Sequence, residues 1–228
     1  MAAVTSQSSG RIGATSTVLA TSTNAPVSIE SVMEAITSTM WNASAPVARC
    51  GRSARMARAI SRTPVPRCAT AFVSAIVNAG ISGNRAADLA ARWSADVLAH
   101  DPSLVSILIG INDTWRRYDE NDPTTPEDFE ASYRSLLDPL SCPVVLMEPF
   151  LLPVKDGQEE WREDLDPKLD VVRKLAVEYG AILVPADVEL TKQAASAGAA
   201  TLAGDGVHPT AAGHRALADL WRRYVLDA

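Results

Sequence analysis

The sequence predicts an α/β fold in which a parallel sheet is covered by helices on both sides. Three observations carry this. Strand-like and helix-like patterns alternate from Phe72 to the C-terminus with short connections. Leu104 to Ile109 is a near-continuous apolar run, as expected of a strand buried on both faces. The segments between strands repeat apolar residues at helical spacing, as Ala86, Leu89, Ala90, Trp93 and Val97 do.

Taken in order, Thr17 to Ala20 reads as a short strand, and Ile29, Val32, Met33 and Ile36 have helical spacing. Residues 47–68 are rich in arginine and contain Pro64 and Pro66, which marks a loop. No aromatic residue is interleaved with those arginines, so the run reads as a solvated segment rather than a nucleic-acid arm. Phe72 to Val77 is a strand, Gly80 to Gly83 a turn, and Asn84 is placed to cap the next helix. Thr125 to Leu137 is a helix, Val144 to Met147 a strand, and Asp164 to Tyr179 a helix stopped by Gly180. Ala181 to Val184 is a further strand and Asp187 to Ala197 a helix. A last helix from about Ala211, capped by Thr210, buries Leu217, Leu220, Trp221, Tyr224 and Val225.

Composition narrows the classes. A chain of 228 residues with 47% hydrophobic content builds one sizeable core. Its net charge of −6 argues against a nucleic-acid partner. No apolar run spans a bilayer, so no membrane partner is expected. No charged start precedes an apolar stretch, which points to the cytoplasm. Cys50, Cys68 and Cys142 are too scattered for a metal site and read as free thiols, and no cofactor is implied. The charge is uneven. Residues 1–70 hold seven arginines, two glutamates and neither aspartate nor lysine, a balance of +5, whereas the remainder carries −11. The chain therefore divides into an atypical segment, 1–70, read as irregular or disordered, and an α/β domain, 71–228.

Three loops carry chemistry. In Gly204 to Thr210 (GDGVHPT), Asp205 precedes His208 by three residues, so the carboxylate can orient the imidazole as a general base. Of the other histidines, His100 ends a helix and His214 is expected to face solvent from the last helix. In Gly110 to Asp113 (GIND), Asn112 follows a strand end and can donate to an oxyanion, a contribution of about 3–4 kcal/mol when preorganised. In Gly80 to Asn84, the Gly83 N–H can be a second donor. Trp115, Arg116, Arg117 and Tyr118 are placed to line a pocket, and Trp161 and Arg162 to form its rim. No glycine-rich phosphate loop follows a strand, which disfavours a nucleotide-binding domain.

In this order, NAGISGN at Asn78 to Asn84, GIND at Gly110 to Asp113 and DGVHP at Asp205 to Pro209 resemble the SGNH or GDSL hydrolase family. The resemblance runs from about Phe72 to the C-terminus. It implies a flavodoxin-like three-layer α/β/α sandwich and hydrolysis of a small-molecule ester through an acyl-serine. It also implies oxyanion donors at Gly83 and Asn112, with the acid and base at Asp205 and His208. It leaves the substrate and the oligomeric state open. The alternative is a non-catalytic ligand-binding domain of the same lineage.

The chain departs from the family at the nucleophile, because it contains no Gly-Asp-Ser. Ser22 follows a short apolar run, and Ser44 lies 39 residues before Gly83, near the family's spacing. Neither is preceded by glycine and aspartate. A shifted reading frame or a wrong start would produce both this gap and the charge break near residue 70. Translation of the upstream coding DNA in all frames is expected to yield a Gly-Asp-Ser strand end in one of them. Its absence from every frame rejects the explanation.

Overall fold

The structure, a computed structural model, describes residues 17–22 and 75–227. Among these the chain runs β1 (Thr17–Ser22), β2 (Ala75–Asn78), α1 (Ala86–Asp96), β3 (Leu104–Leu108), α2 (Ile111–Asp119), α3 (Pro126–Leu137), β4 (Val144–Met147), α4 (Arg162–Tyr179), β5 (Ile182–Val184), α5 (Ala186–Ala197), α6 (Ala199–Leu202) and α7 (Ala211–Val225). The expected N-terminal helix and the arginine-rich loop lie outside the described residues. No helix among the described residues is long and apolar enough to cross a membrane.

The strands form one sheet in the order β2-β1-β3-β4-β5. Side chains along β3 and β4 alternate between two cores, as the two-residue period of a strand requires. Val105, Ile107 and Leu146 face α1, α3 and α4 through Leu89, Trp93, Phe129, Tyr133 and Leu175. Leu108, Val145 and Met147 face the other layer through Leu190, Leu202, Leu217 and Trp221. The Trp221 indole N–H donates to the buried Ser106 hydroxyl at 3.2 Å, which satisfies the one polar side chain of β3. Three layers result, α/β/α, as the sequence predicts.

The strand directions hold one departure. β3, β4 and β5 are parallel to one another. β1 runs antiparallel to both β2 and β3, so β2 points with the other three and β1 alone is reversed. Thr17 pairs with Leu108 and Thr21 with Leu104, while Ser22 pairs with Ala75 at the start of β2.

The loops at the C-terminal ends of β2 and β3 are shaped by close approach. Gly110 has φ +131°, and a Cβ there would lie 2.9 Å from Phe129 Cζ and 3.1 Å from Pro149 Cγ. This glycine lets the chain pass from β3 into α2, where the sequence predicts a loop. Asp113, in the first turn of α2, is buried, and its Oδ2 accepts the Ala86 N–H at 3.1 Å. It shares the capping of α1 with Asp88, whose Oδ2 accepts the Arg85 N–H at 2.9 Å. The N-cap is therefore Arg85 and not the expected Asn84, whose Oδ1 accepts from Arg92 Nε at 2.9 Å. Burial pushes the Asp113 carboxyl up to about 7, against the Ala86 N–H and the Lys168 and Arg85 charges, which pull it down.

Gly110→Ala should cost about 2–4 kcal/mol through backbone strain and overlap with Phe129. It would be read as a lower urea midpoint at unchanged slope; an unchanged midpoint would mean that Phe129 and Pro149 yield freely. Asp113 gives a pH test. Its folded value, about 7, lies above the usual carboxylate value, so the unfolded chain loses this proton first. Its contribution to stability therefore falls as pH rises from about 4 to about 7 and is level above that. Asp113→Asn retains an acceptor for Ala86 and should lack this fall. Parallel stability–pH curves for the two proteins would show that Asp113 is ionised throughout.

Candidate active site

The turn from Gly204 to Thr210 is built around one carboxylate. Asp205 Oδ1 accepts the His208 N–H at 2.8 Å and the Val207 N–H at 3.2 Å. Its Oδ2 lies 2.5 Å from His208 Nδ1. Burial alone would raise the Asp205 pKa, but these bonds together hold it below the usual carboxylate range. His208 Nε2 is buried with no hydrogen-bond partner among the described residues. Thr210 caps α7 as expected: its Oγ1 accepts from the Ala212 and Gly213 N–H groups, both at 3.2 Å.

The turn follows α6 and not a strand. It reaches the C-terminal edge of the sheet by attachment to the loop after β4. The Leu152 N–H donates to the Gly206 carbonyl, and Gln158 Nε2 donates to the Asp205 carbonyl, each at 2.8 Å. Gln158 Oε1 accepts the Val154 and Lys155 N–H groups, both at 2.9 Å. Gly206 has φ +93°, and a Cβ there would stand 2.8 Å from the Leu152 carbonyl oxygen. The same loop is pinned at Leu151, whose N–H donates to Asp187 Oδ1 at 3.1 Å, and Asp187 is clamped by Arg162 at 2.8 and 2.9 Å. Gln158 and Asp187 belong to no motif, and nothing in their local sequence marks them.

The other half of the site lies on β2 and β3. Gly83, φ +84°, is in the loop after β2. Asn112 is fully buried in the first turn of α2, and its Nδ2 donates to the Asn84 carbonyl at 3.0 Å. The two expected donor loops are thus joined by a hydrogen bond. One turn further along α2, the Trp115 ring meets the His208 ring edge-to-face, with centroids 5.5 Å apart. Helix α2 therefore links the two halves, with Asn112 at its start and Trp115 against His208.

The flanking residues divide. Trp115 packs against Trp161, with centroids 5.8 Å apart, and Trp161 stacks on Tyr118 at 5.2 Å. Arg116 is buried and pairs with Asp119, and Arg162, partly exposed, holds Asp187. His214 is buried, contrary to the sequence reading. A Cβ on the adjacent Gly213 would stand 2.1 Å from the Leu202 carbonyl oxygen, so the first turn of α7 is pressed onto α6. Desolvation lowers the His214 pKa and favours the neutral ring.

No metal-binding group of three or more His, Cys, Asp or Glu occurs among the described residues. Ser44 lies outside them. Ser22 ends the reversed β1, level with the N-terminal ends of β2 and β3. It is separated from the Leu108 end of the sheet by five residues of strand, roughly 17 Å.

The model of the GDSL-like lipase/acylhydrolase family matches residues 38–216, beginning upstream of the motifs noted above. An acetylxylan esterase of Geobacillus stearothermophilus is 38% identical over 157 residues, covering 66% of this chain and 71% of the relative. A crystal structure of an acetylxylan esterase from that organism superposes with a TM-score of 0.60 at 38% identity, covering 65% of this chain and 70% of that one. A variant structure describes it as an acetyl-xylooligosaccharide esterase. Its catalytic-mutant structures replace a serine, an aspartate and a histidine, the last two three residues apart. A protein from Parabacteroides merdae described as a GDSL-like lipase superposes with a TM-score of 0.59 at 33% identity, covering 63% of this chain and 69% of that one. The chain belongs to the GDSL-like lipase/acylhydrolase family, whose members are ester hydrolases of this three-layer fold.

Proposed function

We propose that Asp205 and His208 are the acid and base of a serine-hydrolase relay acting on acyl or acetyl esters of small molecules. The Gly83 N–H and the Asn112 amide are the oxyanion donors in this reading. The His208 geometry carries it. Asp205, kept ionised by its bonds, can only accept, so the shared proton belongs on Nδ1 and Nε2 presents its lone pair. The same three-residue spacing of catalytic aspartate and histidine in the acetylxylan esterase supports the assignment. That enzyme's acetylated substrate also favours acetyl esters.

In the first step a serine hydroxyl adds to the ester carbonyl carbon while its proton passes to Nε2. The carbonyl electron pair moves to oxygen, and the oxyanion is held by the two donors. Collapse breaks the bond to the alcohol, which leaves with the proton from Nε2. Water, deprotonated by the same nitrogen, then releases the acid and restores the serine. The lack of Gly-Asp-Ser, with Ser22 at the opposite end of the sheet, favours a second reading: a domain of this lineage that binds such ligands without turnover.

Hydrolysis of p-nitrophenyl acetate decides between them. The relay predicts a wild-type kcat/KM that falls at least ~10³-fold in His208→Ala, about 4 kcal/mol of transition-state stabilisation. Asn112→Ala should cost about 10²-fold. A wild type no faster than buffer, or a His208→Ala variant equal to it, rejects the relay and leaves the binding domain.

A further inference from the structure

Beside the Asp205–His208 pair stands a run of aromatic rings that the proposed chemistry does not use. His208 touches Trp115, Trp115 touches Trp161, and Trp161 stacks on Tyr118 with its plane 11° from parallel. Trp115 and Trp161 pack over the apolar cluster of Ile111, Leu151, Leu165 and Val207, yet these two rings and Tyr118 all remain partly exposed. Core rings of this size elsewhere in the chain, such as Trp93, Trp221, Phe129 and Tyr133, are buried. The outer end of the run is polar. The Arg117 guanidinium lies 5.6 Å from the Tyr118 ring and is bonded to Glu163 at 2.6 Å, and the Tyr118 hydroxyl donates to the Glu160 carbonyl at 3.0 Å.

We infer that this ring run is a saccharide subsite that seats the sugar units next to the ester cleaved at His208. The inference rests on the hydrolase reading for its orientation. A pyranose presents C–H bonds along its faces and hydroxyls around its rim. The C–H faces pack on the negative faces and edges of indole and phenol rings, and the hydroxyls exchange hydrogen bonds with charged groups at the border. An aromatic surface ending in Arg117 and Glu163 fits that amphipathic shape. A fatty-acyl chain would gain nothing from the charged end and would strip water from it. Three rings follow His208 in the run, with successive centroids 5.5, 5.8 and 5.2 Å apart.

Binding of unacetylated xylotetraose to the full-length chain, followed by NMR titration, tests this without turnover. Saturation of the aromatic protein protons should transfer to the ring C–H protons of xylotetraose, with affinity rising from xylose to the tetramer. Trp161→Ala and Tyr118→Ala should each weaken binding about tenfold or more, and Tyr118→Phe, which keeps the ring, should stay within about threefold of wild type. Thermal melts separate loss of binding from loss of fold. Absence of saturation transfer in the wild type, equal binding by folded Trp161→Ala, or binding of decanoate in place of xylotetraose overturns the subsite. A chain that binds xylotetraose but leaves p-nitrophenyl acetate intact upholds the subsite and sinks only the hydrolase reading. A chain that hydrolyses the ester but ignores xylotetraose does the reverse.

Discussion

The Asp205–His208 turn depends on its attachment to the loop after β4. It has no strand of its own, and its base is closed by the isolated bridge between Ala203 and Pro209. What fixes its position is the pair of bonds from Leu152 and Gln158 to the carbonyls of Gly206 and Asp205. That loop is itself held by Asp187 at the start of α5, which Arg162 locks from α4. The proposed acid–base pair is thus referred to the sheet through three consecutive polar links. Most of the groups in those links are buried, so losing one partner leaves others unsatisfied at about 1–3 kcal/mol each.

The opposite half is organised around α2. Gly110 sets where the helix begins, Asp113 ties its first turn to α1, and Asn112 ties the same turn to the loop carrying Gly83. The far end of α2 is tied to α4 by Arg117, which bonds Glu163 and Asp164. Asp164 is in turn paired with Lys168, which is fully buried. Removing one member of such a pair strands the other in a low-dielectric site. Both ends of the helix are therefore fixed independently of any ligand.

Motifs built from near neighbours were legible in the sequence. Asp205 and His208 are three residues apart, and their mutual orientation follows from a local turn. Buried strands were legible because apolar runs such as Leu104 to Leu108 admit few other interpretations. What escaped was decided at long range. The sequence places Asn84 as the cap of α1, but the Ala86 N–H in its first turn is taken by Asp113, 27 residues further on. Helix α2 was hidden because Ile111 to Thr114 are weak helix formers, and only the Gly110 junction and the Asp113 anchor make helix the better state. His214 was assigned to solvent because its burial depends on Gly213 meeting α6. Gln158 and Asp187 carried no signal at all, since their importance lies in carbonyl and amide groups elsewhere in the chain.

The reversed β1 separates two requirements that a hydrolase of this fold normally meets with one segment. A central strand must satisfy the backbone groups of both neighbours, here β2 and β3, or leave two open edges inside the sheet. Any extended segment of the right length can do this, in either direction, because main-chain pairing is nearly blind to sequence. Thr17–Ser22 meets that requirement with paired residues on both sides. Placing a nucleophile beside His208 is a stricter demand, because the strand must end at the C-terminal edge, and an antiparallel strand ends at the other. The sheet, the loops of Gly83 and Asn112 and the Asp205–His208 turn can therefore all be specified by residues 75–227 whatever precedes them. Stability of the fold and presence of the nucleophile are separate properties of this chain, and a folded protein is not by itself a sign of an active one.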